Sequence, residues 1–231
     1  MYRGLPVLVI AFLVAGMPAQ AQIGETSAQN RSGLMVQARA GLTVPRVTSQ
    51  FQNFYSVGRG VGAGVGYGLT PSIDVFVQGK YSEFLLDEGG VSGIFPEFGA
   101  EGFTTNVDGG DGSIVSGTLN LRFRTRLSEQ INFHLIGGVG AYHQSIYEAQ
   151  LSFTNEEQGS GDTFVFAEQE QTSPGLNFGV ELAAPVADRV QVFLRPTFVL
   201  IFGDRIQDEE PREQTGRVGF FSVDLGVSWR L

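Results

Sequence analysis

Apolar residues recur at every second position along most of the chain between Leu34 and Leu231. Successive side chains of a β-strand point to opposite faces, so a period of two predicts strands with one apolar and one polar face. Transmembrane β-strands show this alternation over about ten residues. The sequence therefore predicts an all-β fold, an eight-stranded antiparallel up-and-down transmembrane β-barrel. The eight predicted strands are Leu34–Val44, Gly58–Leu69, Ile73–Tyr81, Val115–Leu127, Ile131–Tyr142, Leu176–Ala183, Val190–Phe202 and Phe220–Leu231.

The connections between these strands alternate in length. Membrane barrels have short turns at the periplasmic end and longer loops at the extracellular end. The alternation therefore predicts that the chain termini lie with the short turns, on the periplasmic side. The short connections are Thr70–Ser72, Ser128–Gln130 and Pro185–Arg189, and the long ones are Pro45–Val57, Asp87–Ser113, Glu148–Ser173 and Gly203–Gly216.

The second predicted strand, GRGVGAGVGYGL at Gly58–Leu69, has a glycine at every even position from Gly58 through Gly68. A dinucleotide-binding G-x-G-x-x-G motif that starts at Gly60 requires a glycine at position 65, where the chain has Val65. A flexible linker is also a poor match, because the intervening residues are apolar rather than Ser or Thr. We expect these glycines to form a bare inner wall of the barrel, which bulky side chains from other strands fill.

Soluble and membrane barrels both have alternating strands, and their charged residues distinguish them. A soluble barrel turns its apolar face inward, whereas an outer-membrane barrel turns that face toward lipid. The polar faces of the predicted strands hold charges of both signs, which can pair inside a lumen. We therefore predict a polar network in the lumen, which consists of Arg39, Asp74, Lys80, Arg122, Arg124, Arg126, Glu181, Arg195, Asp224 and Arg230.

The N-terminal residues predict a secretory leader. Arg3 precedes the apolar run Leu5–Ala15, and Ala19-Gln20-Ala21 has the small-x-small pattern of a signal peptidase site. The apolar run is shorter than the roughly 20 residues of a membrane-spanning helix. We predict a cleaved signal peptide at residues 1–21 and a single barrel domain at residues 22–231.

The last predicted strand carries the most specific pattern. Its alternate apolar residues are Phe221, Val223, Leu225, Val227, Trp229 and Leu231. This pattern resembles the assembly signal of outer-membrane barrels, with Leu231 where Phe or Trp is usual. With the leader and the eight strands, it makes the chain similar to the small outer-membrane β-barrel family, which includes OmpA-like transmembrane domains and OmpX-like proteins. The resemblance implies a monomer in a Gram-negative outer membrane, with membrane lipid, lipopolysaccharide and the outer-membrane assembly machinery as partners.

The composition excludes several classes of function. A net charge of −9 argues against a nucleic-acid partner, because phosphate binding needs a basic surface. The chain has no cysteine, so disulfides and thiolate metal sites are excluded. The stretch NVDGGDG at Asn106–Gly112 lacks the spacing of a calcium loop, and His134 is expected to form hydrogen bonds in the lumen rather than bind a metal. We expect no metal and no cofactor.

The predicted barrel size limits its function. Side chains fill the interior of an eight-stranded barrel, so a wide pore is excluded. We predict a structural or surface-interaction, adhesion-like role, with a largely plugged lumen and no enzymatic activity. The alternative is a narrow channel or transporter for small anions or apolar solutes, lined by Arg122, Arg124 and Arg126.

The predicted extracellular end contains a His-x-Ser sequence and two acidic loops. His143 and Ser145, with Glu148 nearby, resemble the His-x-Ser arrangement of outer-membrane lipid A deacylases, so a lipid A esterase is a remote alternative. The long loops Asp87–Ser113 and Glu148–Ser173 are acidic. They are expected to form a solvated surface or to bind lipopolysaccharide through divalent cations.

Overall fold

The computed structural model describes residues 33–47, 55–86, 103–126, 131–155, 160–166, 168–203 and 217–231. The predicted signal peptide at residues 1–21 lies outside the described residues. Within them, no helix is long and apolar enough to cross a membrane. The strands are β1 Leu34–Val47, β2 Gly58–Thr70, β3 Ile73–Phe84, β4 Phe103–Gly109, β5 Gly112–Arg126, β6 Asn132–Ile146, β7 Ala149–Asn155, β8 Ser160–Phe166, β9 Gln169–Ala187, β10 Val190–Phe202 and β11 Arg217–Arg230.

Eight of these strands close into an antiparallel barrel. Their order around the barrel is β1-β2-β3-β5-β6-β9-β10-β11, and β11 pairs back to β1. This closing pair extends from Met35 opposite Arg230 to Val47 opposite Gly219. Closure pairs the backbone groups of both terminal strands, so the barrel has no free edge. The predicted eight-stranded antiparallel barrel is confirmed.

The barrel is apolar outside and polar inside. Leu42, Val77 and Leu225 on the outer face are 59%, 65% and 65% exposed, whereas the inward Asp74 and Arg122 are 0% and 1% exposed. A soluble barrel has the reverse arrangement, with its apolar face inward. The observed outer face is the one expected of a transmembrane barrel.

The two ends of the barrel differ in their connections. At one end, which we call the turn end, Pro71-Ser72 joins β2 to β3, and Asp188-Arg189 joins β9 to β10. The terminal strands also meet there, and the Leu231 N–H donates to the Leu34 carbonyl at 2.9 Å. The predicted turn Ser128–Gln130 lies outside the described residues. We call the opposite end, which carries the longer connections, the loop end.

Two of the long connections form a second sheet beyond the loop end. Both β4 and β8 pair with β7 in antiparallel fashion, which gives a three-stranded sheet that we call the outer sheet. The strand β4 lies in the connection Asp87–Ser113, and β7 and β8 lie in Glu148–Ser173. Sequence periodicity predicted both segments as loops, and the structure instead pairs them with each other.

The NVDGGDG segment is the tight reversal between β4 and β5. Gly109 and Gly110 have φ angles of 80° and 78°, in the left-handed region that glycine adopts without strain. The Gly110 N–H donates to the Glu148 carbonyl at 3.0 Å, and Asp111 Oδ1 accepts from the Leu86 N–H at 3.0 Å. These residues therefore connect the outer sheet to the barrel by one backbone and one side-chain hydrogen bond.

The glycines of β2 form an inner wall that adjacent strands cover. A Cβ added at Gly66 would lie 2.2 Å from Phe76 Cε1, and one at Gly62 would lie 3.0 Å from Arg39 Nε. Phe76 belongs to the adjacent β3 and Arg39 to the adjacent β1. Large side chains of other strands fill this space, as predicted, and at these positions they come from the adjacent strands. Because barrel strands are tilted, long side chains of the two adjacent strands reach across β2.

Pro196 lies in the middle of β10, a position that is uncommon for proline within a sheet. The ladder between β10 and β11 continues through Pro196, but the ladder to β9 goes from Leu194 opposite Leu182 directly to Thr197 opposite Gly179. Proline has no N–H to donate. The interruption is therefore confined to one side of β10.

A cluster of buried apolar side chains lies across the lumen near the loop end, and we call it the apolar cap. The Phe84 and Phe220 rings meet edge to face with their centroids 5.7 Å apart, and Tyr55 meets Phe84 at 6.4 Å. Such aromatic pairs stabilise a core beyond the area that they bury. The cap consists of Tyr55, Phe84, Ile114, Tyr142, Val199, Ile201 and Phe220.

Replacing Gly66 by alanine tests the packing of the glycine wall. The new methyl group would overlap the buried Phe76 ring, so we expect Gly66→Ala to lower the free energy of unfolding by about 1–3 kcal/mol. Urea unfolding of the refolded protein in detergent micelles measures this difference. The matched control is Gly117→Ala on the outer face, where no atom lies within 4 Å of the added Cβ. Equal destabilisation of both variants would contradict the packing argument.

Candidate functional site

The charged side chains of the lumen form two groups. The group nearer the turn end centres on Arg122 of β5, which β3 places directly opposite Asp74. Arg122 Nε donates to Asp74 Oδ2 at 2.8 Å, and Arg122 Nη1 donates to Glu181 Oε1 at 2.9 Å. Arg124 Nη2 lies 3.2 Å from Asp74 Oδ1. One aspartate therefore serves two arginines of the same strand.

Glu181 of β9 is the most shared carboxylate of the lumen, and it is 0% exposed. Besides Arg122, it accepts hydrogen bonds from Nε of Arg195 at 2.8 Å and from Nη2 of the same guanidinium. His134 Nδ1 lies 2.8 Å from Glu181 Oε1. A carboxylate has about four acceptor sites, so it can hold all of these donors at once. Glu181 thereby links its own strand to β5, β6 and β10.

Neutral amides continue this group along the barrel axis. Arg195 Nη2 donates to Gln37 Oε1 at 2.9 Å, and Gln78 Nε2 donates to the same oxygen at 3.2 Å. Asn120 Nδ2 donates to Gln78 Oε1 at 3.4 Å. The predicted lumen network consisted of charged residues and did not include these amides. Their inward register on β1, β3 and β5 is the signal that identifies them.

Two inward phenylalanines pack against the buried arginines. The Arg122 guanidinium carbon lies 4.6 Å from the Phe76 ring centroid, and that of Arg195 lies 4.6 Å from the Phe193 centroid. Such cation–π contacts stabilise a desolvated guanidinium by about 2 kcal/mol or more. The rings also occupy space beside the glycines, because a Cβ at Gly226 would lie 2.3 Å from Phe193 Cζ. These aromatic side chains help to fill the lumen.

The second charged group lies nearer the apolar cap and centres on Asp224 of β11. Lys80 Nζ donates to both carboxylate oxygens of Asp224, at 2.8 and 3.0 Å, and also to Ser222 Oγ. Ser222 Oγ donates to Asp224 Oδ1 at 3.0 Å. Arg39 Nη1 lies 3.8 Å from Asp224 Oδ2, which is an ion pair without a hydrogen bond.

A small cavity lies between the Asp224 group and the apolar cap. Its volume is about 30 Å³, more than the roughly 10–15 Å³ that one water molecule needs. The side chains that line it include Arg39, Lys80, Tyr142, Thr197 and Asp224. The surroundings are polar on one side and apolar on the other.

The structure describes the side chains of nine of the ten residues that the sequence analysis assigned to the lumen network. Arg230 lies at the turn end, where its Nη2 is 3.6 Å from Met35 Sδ. Arg126 belongs to β5, but its side chain lies outside the described residues. The remaining eight, which the structure brings into the two groups, are Arg39, Asp74, Lys80, Arg122, Arg124, Glu181, Arg195 and Asp224.

The residues of the predicted assembly signal lie on the outer face of β11. Leu225 and Leu231 are 65% and 60% exposed, and Trp229 is 55% exposed. Phe221 and Val223 are also exposed, and Val227 is half-buried. The last strand thus presents a continuous apolar row on the barrel exterior.

The residues of the suggested esterase arrangement lie near the loop end. His143 Nδ1 lies 2.8 Å from Thr172 Oγ1, and His143 Nε2 lies 3.9 Å from Glu170 Oε1. Ser145 is opposite Glu170 on β9. The hydroxyl that contacts His143 is therefore that of Thr172 and not that of Ser145. Within the described residues, no group of three or more His, Cys, Asp or Glu could hold a metal ion.

Neither a protein-family model nor a curated protein matches the sequence, but solved structures match the fold. Neisserial surface protein A (NspA) matches with a TM-score of 0.54 and 14% identity, over 87% of this chain and 98% of that chain. A major outer membrane protein from Thermus thermophilus matches with a TM-score of 0.50 and 16% identity, over 87% of this chain and 100% of that chain. The fold is that of a small outer-membrane β-barrel. At these identities the similarity applies to the fold alone.

In an outer-membrane barrel of eight strands, the interior is just wide enough to be filled by the inward side chains of the strands. The two charged groups, the amides and the apolar cap occupy that space in this outer-membrane barrel fold. Buried charges destabilise a protein unless they are paired and hydrogen-bonded. The lumen with its shared carboxylates is therefore a candidate site that stabilises the barrel and controls whether ions can pass through it.

Replacing Glu181 by glutamine tests the central carboxylate. The variant would leave Arg122 and Arg195 buried with less compensating charge, so we expect Glu181→Gln to lower the free energy of unfolding by about 3–5 kcal/mol. Urea unfolding in lipid bilayers measures the loss.

The control for this prediction is Glu83→Gln, at a more exposed ion pair. Glu83 pairs with the exposed Arg59 at 2.8 Å, and such surface pairs contribute about 0–1 kcal/mol. A Glu181→Gln variant that is as stable as Glu83→Gln would disprove the central role of Glu181.

Proposed function

We propose that this protein is a plugged outer-membrane barrel that anchors the outer sheet at the cell surface, where the protein has a structural or surface-interaction role. The observation that carries this proposal is the filled lumen, in which two charged groups and the apolar cap follow one another along the axis. A barrel that is filled in this way can anchor the outer sheet in the membrane but is not a wide pore for solutes.

The distribution of side chains across the lumen supports a plug. Arg122 and Arg195 are 1% exposed, and Asp74 and Glu181 are 0% exposed. Toward the loop end, Phe84 is 0% exposed within the apolar cap. An ion that crossed the barrel would have to break buried ion pairs and then enter an apolar layer. Both steps are costly in a low-dielectric environment.

The outer face supports insertion into the outer membrane. The last strand, β11, has its exposed apolar row on the side that would meet lipid, as the assembly machinery would require. The proposal includes export through a signal peptide at residues 1–21, folding to a monomer, and contact with outer-membrane lipid and lipopolysaccharide in a Gram-negative envelope.

The loop end is proposed to face the cell exterior. Its exposed acidic residues support a hydrated surface that can bind lipopolysaccharide phosphates through divalent cations. The described exposed carboxylates in this region are those of Asp108, Glu148, Glu168 and Glu170. An esterase is not favoured, because His143 contacts Thr172 rather than Ser145.

Single-channel recording tests the plug. We expect the refolded protein to insert into a planar bilayer without stepwise conductance, because the buried ion pairs and the apolar cap block the lumen. Heat-modifiable migration on a gel confirms that the inserted protein is folded. Stable conductance steps with anion preference would overturn the plugged barrel and favour the narrow channel.

Cysteine labelling tests the orientation of the barrel. The chain has no native cysteine, so Thr163→Cys in β8 and Ser72→Cys at the turn end each introduce a unique thiol. Both positions are exposed. On intact cells, a membrane-impermeant maleimide is expected to label Thr163→Cys at least tenfold more than Ser72→Cys, and permeabilisation should equalise the two. Preferential labelling of Ser72→Cys would reverse the proposed orientation.

A further inference from the structure

The lumen carries more positive than negative charge among its described side chains. Leaving aside Arg230 at the turn end, five cationic residues face three carboxylates, an excess of two positive charges. The cations are Arg39, Lys80, Arg122, Arg124 and Arg195, and the carboxylates are Asp74, Glu181 and Asp224.

The excess positive charge beside the cavity is that of Arg39. Asp224 is the carboxylate of the second charged group, and Lys80 donates a hydrogen bond to each of its oxygens. Arg39 Nη1 remains 3.8 Å away, and its side chain is 10% exposed. A guanidinium has five N–H donors, and within the described residues Asp224 is its one ion-pair partner. The neighbouring Arg195 adds positive potential at Arg39, which Asp224 and the more distant Glu181 oppose.

The cavity of about 30 Å³ adjoins this guanidinium. Lys80, Ser222 and Thr197 also line it. Thr197 Oγ1 is buried and has no hydrogen-bond partner among the described residues. Buried hydroxyls are nearly always hydrogen-bonded, and an exception calls for an explanation. The cavity thus combines uncompensated positive charge, an unused hydroxyl donor and space for a small species.

We propose that this cavity binds one monatomic anion of the chloride class, held by the Arg39 guanidinium and the Thr197 hydroxyl with Lys80 nearby. An anion offsets buried positive charge, which a water molecule cannot do. The cavity of about 30 Å³ has room for a particle of the size of a water molecule or a chloride ion. The apolar cap closes the loop-end side, so the anion is a resident ligand rather than a conducted ion. This inference is independent of the proposed surface role.

Anomalous diffraction locates such an anion directly. Crystals of the full-length mature protein grown in detergent with sodium bromide in place of sodium chloride are expected to give an anomalous peak within the cavity, in contact with Arg39. A cavity without an anomalous peak, in crystals whose surface does bind bromide, would overturn the proposal.

Unfolding in different salts gives a second, independent test. At constant ionic strength, replacing chloride at roughly ten times its dissociation constant with gluconate should raise the unfolding equilibrium constant about tenfold, because a ligand of the folded state stabilises that state by mass action. Gluconate is too large for the cavity. Equal stability of the native sequence in the two salts would overturn the proposal.

Three variants test whether the chloride-dependent stability comes from anion binding in this cavity. Arg39→Gln is expected to abolish the tenfold difference between the salts, and Thr197→Val to reduce it at least threefold. Thr197→Val keeps the side-chain shape, so it tests the site even if Arg39→Gln does not fold. Arg59→Gln, a surface arginine with 65% side-chain exposure, is the control and should keep the full difference. A chloride effect that persists in both Arg39→Gln and Thr197→Val would disprove the assignment.

Discussion

Backbone hydrogen bonding is the constraint on which the rest of this structure depends. Within hydrocarbon, each unpaired N–H or C=O costs several kcal/mol, so strands can span a membrane only as a closed set. The pairing of β11 with β1 completes that set at eight strands. Strand number fixes the lumen width. Because side chains alternate along each strand, one half of them face lipid. The other half face the lumen, where they contact one another.

The narrow lumen explains why its charges share partners. Glu181 serves Arg122, Arg195 and His134, and Asp74 serves Arg122 and Arg124. Glu181 of β9 therefore couples β5, β6 and β10, and Asp74 couples β3 to its neighbour β5. Such buried networks contribute more to a specific arrangement than to net stability, because desolvation offsets much of the attraction between the charges. The strands are held in register by these contacts as well as by their backbone ladders.

Periodicity predicted the barrel and its strand number, because an alternating pattern has few other interpretations. The charges of both signs on the polar faces were needed to predict that those faces point inward. Periodicity could not show which arginine meets which carboxylate. It also predicted that side chains of other strands fill the space above the glycines, but it could not show that Phe76 and Arg39 of the adjacent strands do so. Strand tilt decides these contacts, and a single sequence does not encode tilt in its period.

The outer sheet was beyond the reach of sequence periodicity for a different reason. The strands β4, β7 and β8 are short, with seven residues each. They pair across two connections that are separated by the barrel strands β5 and β6. Short segments with long-range partners carry little local signal. The glycine pair at Gly109-Gly110 was visible in the sequence, but its role as a reversal required the backbone angles.

The attachment of the outer sheet has a consequence for how this protein can evolve. Only Tyr147 and Glu148 separate β6 from β7, and only Gly110 and Asp111 separate β4 from β5. The sheet is therefore joined closely to the barrel, yet exposed side chains such as Thr163 and Val165 lie apart from both lumen groups and from the lipid-facing rows. Substitutions at these two positions can therefore change the exposed face of the outer sheet without altering the packing of the barrel beneath it.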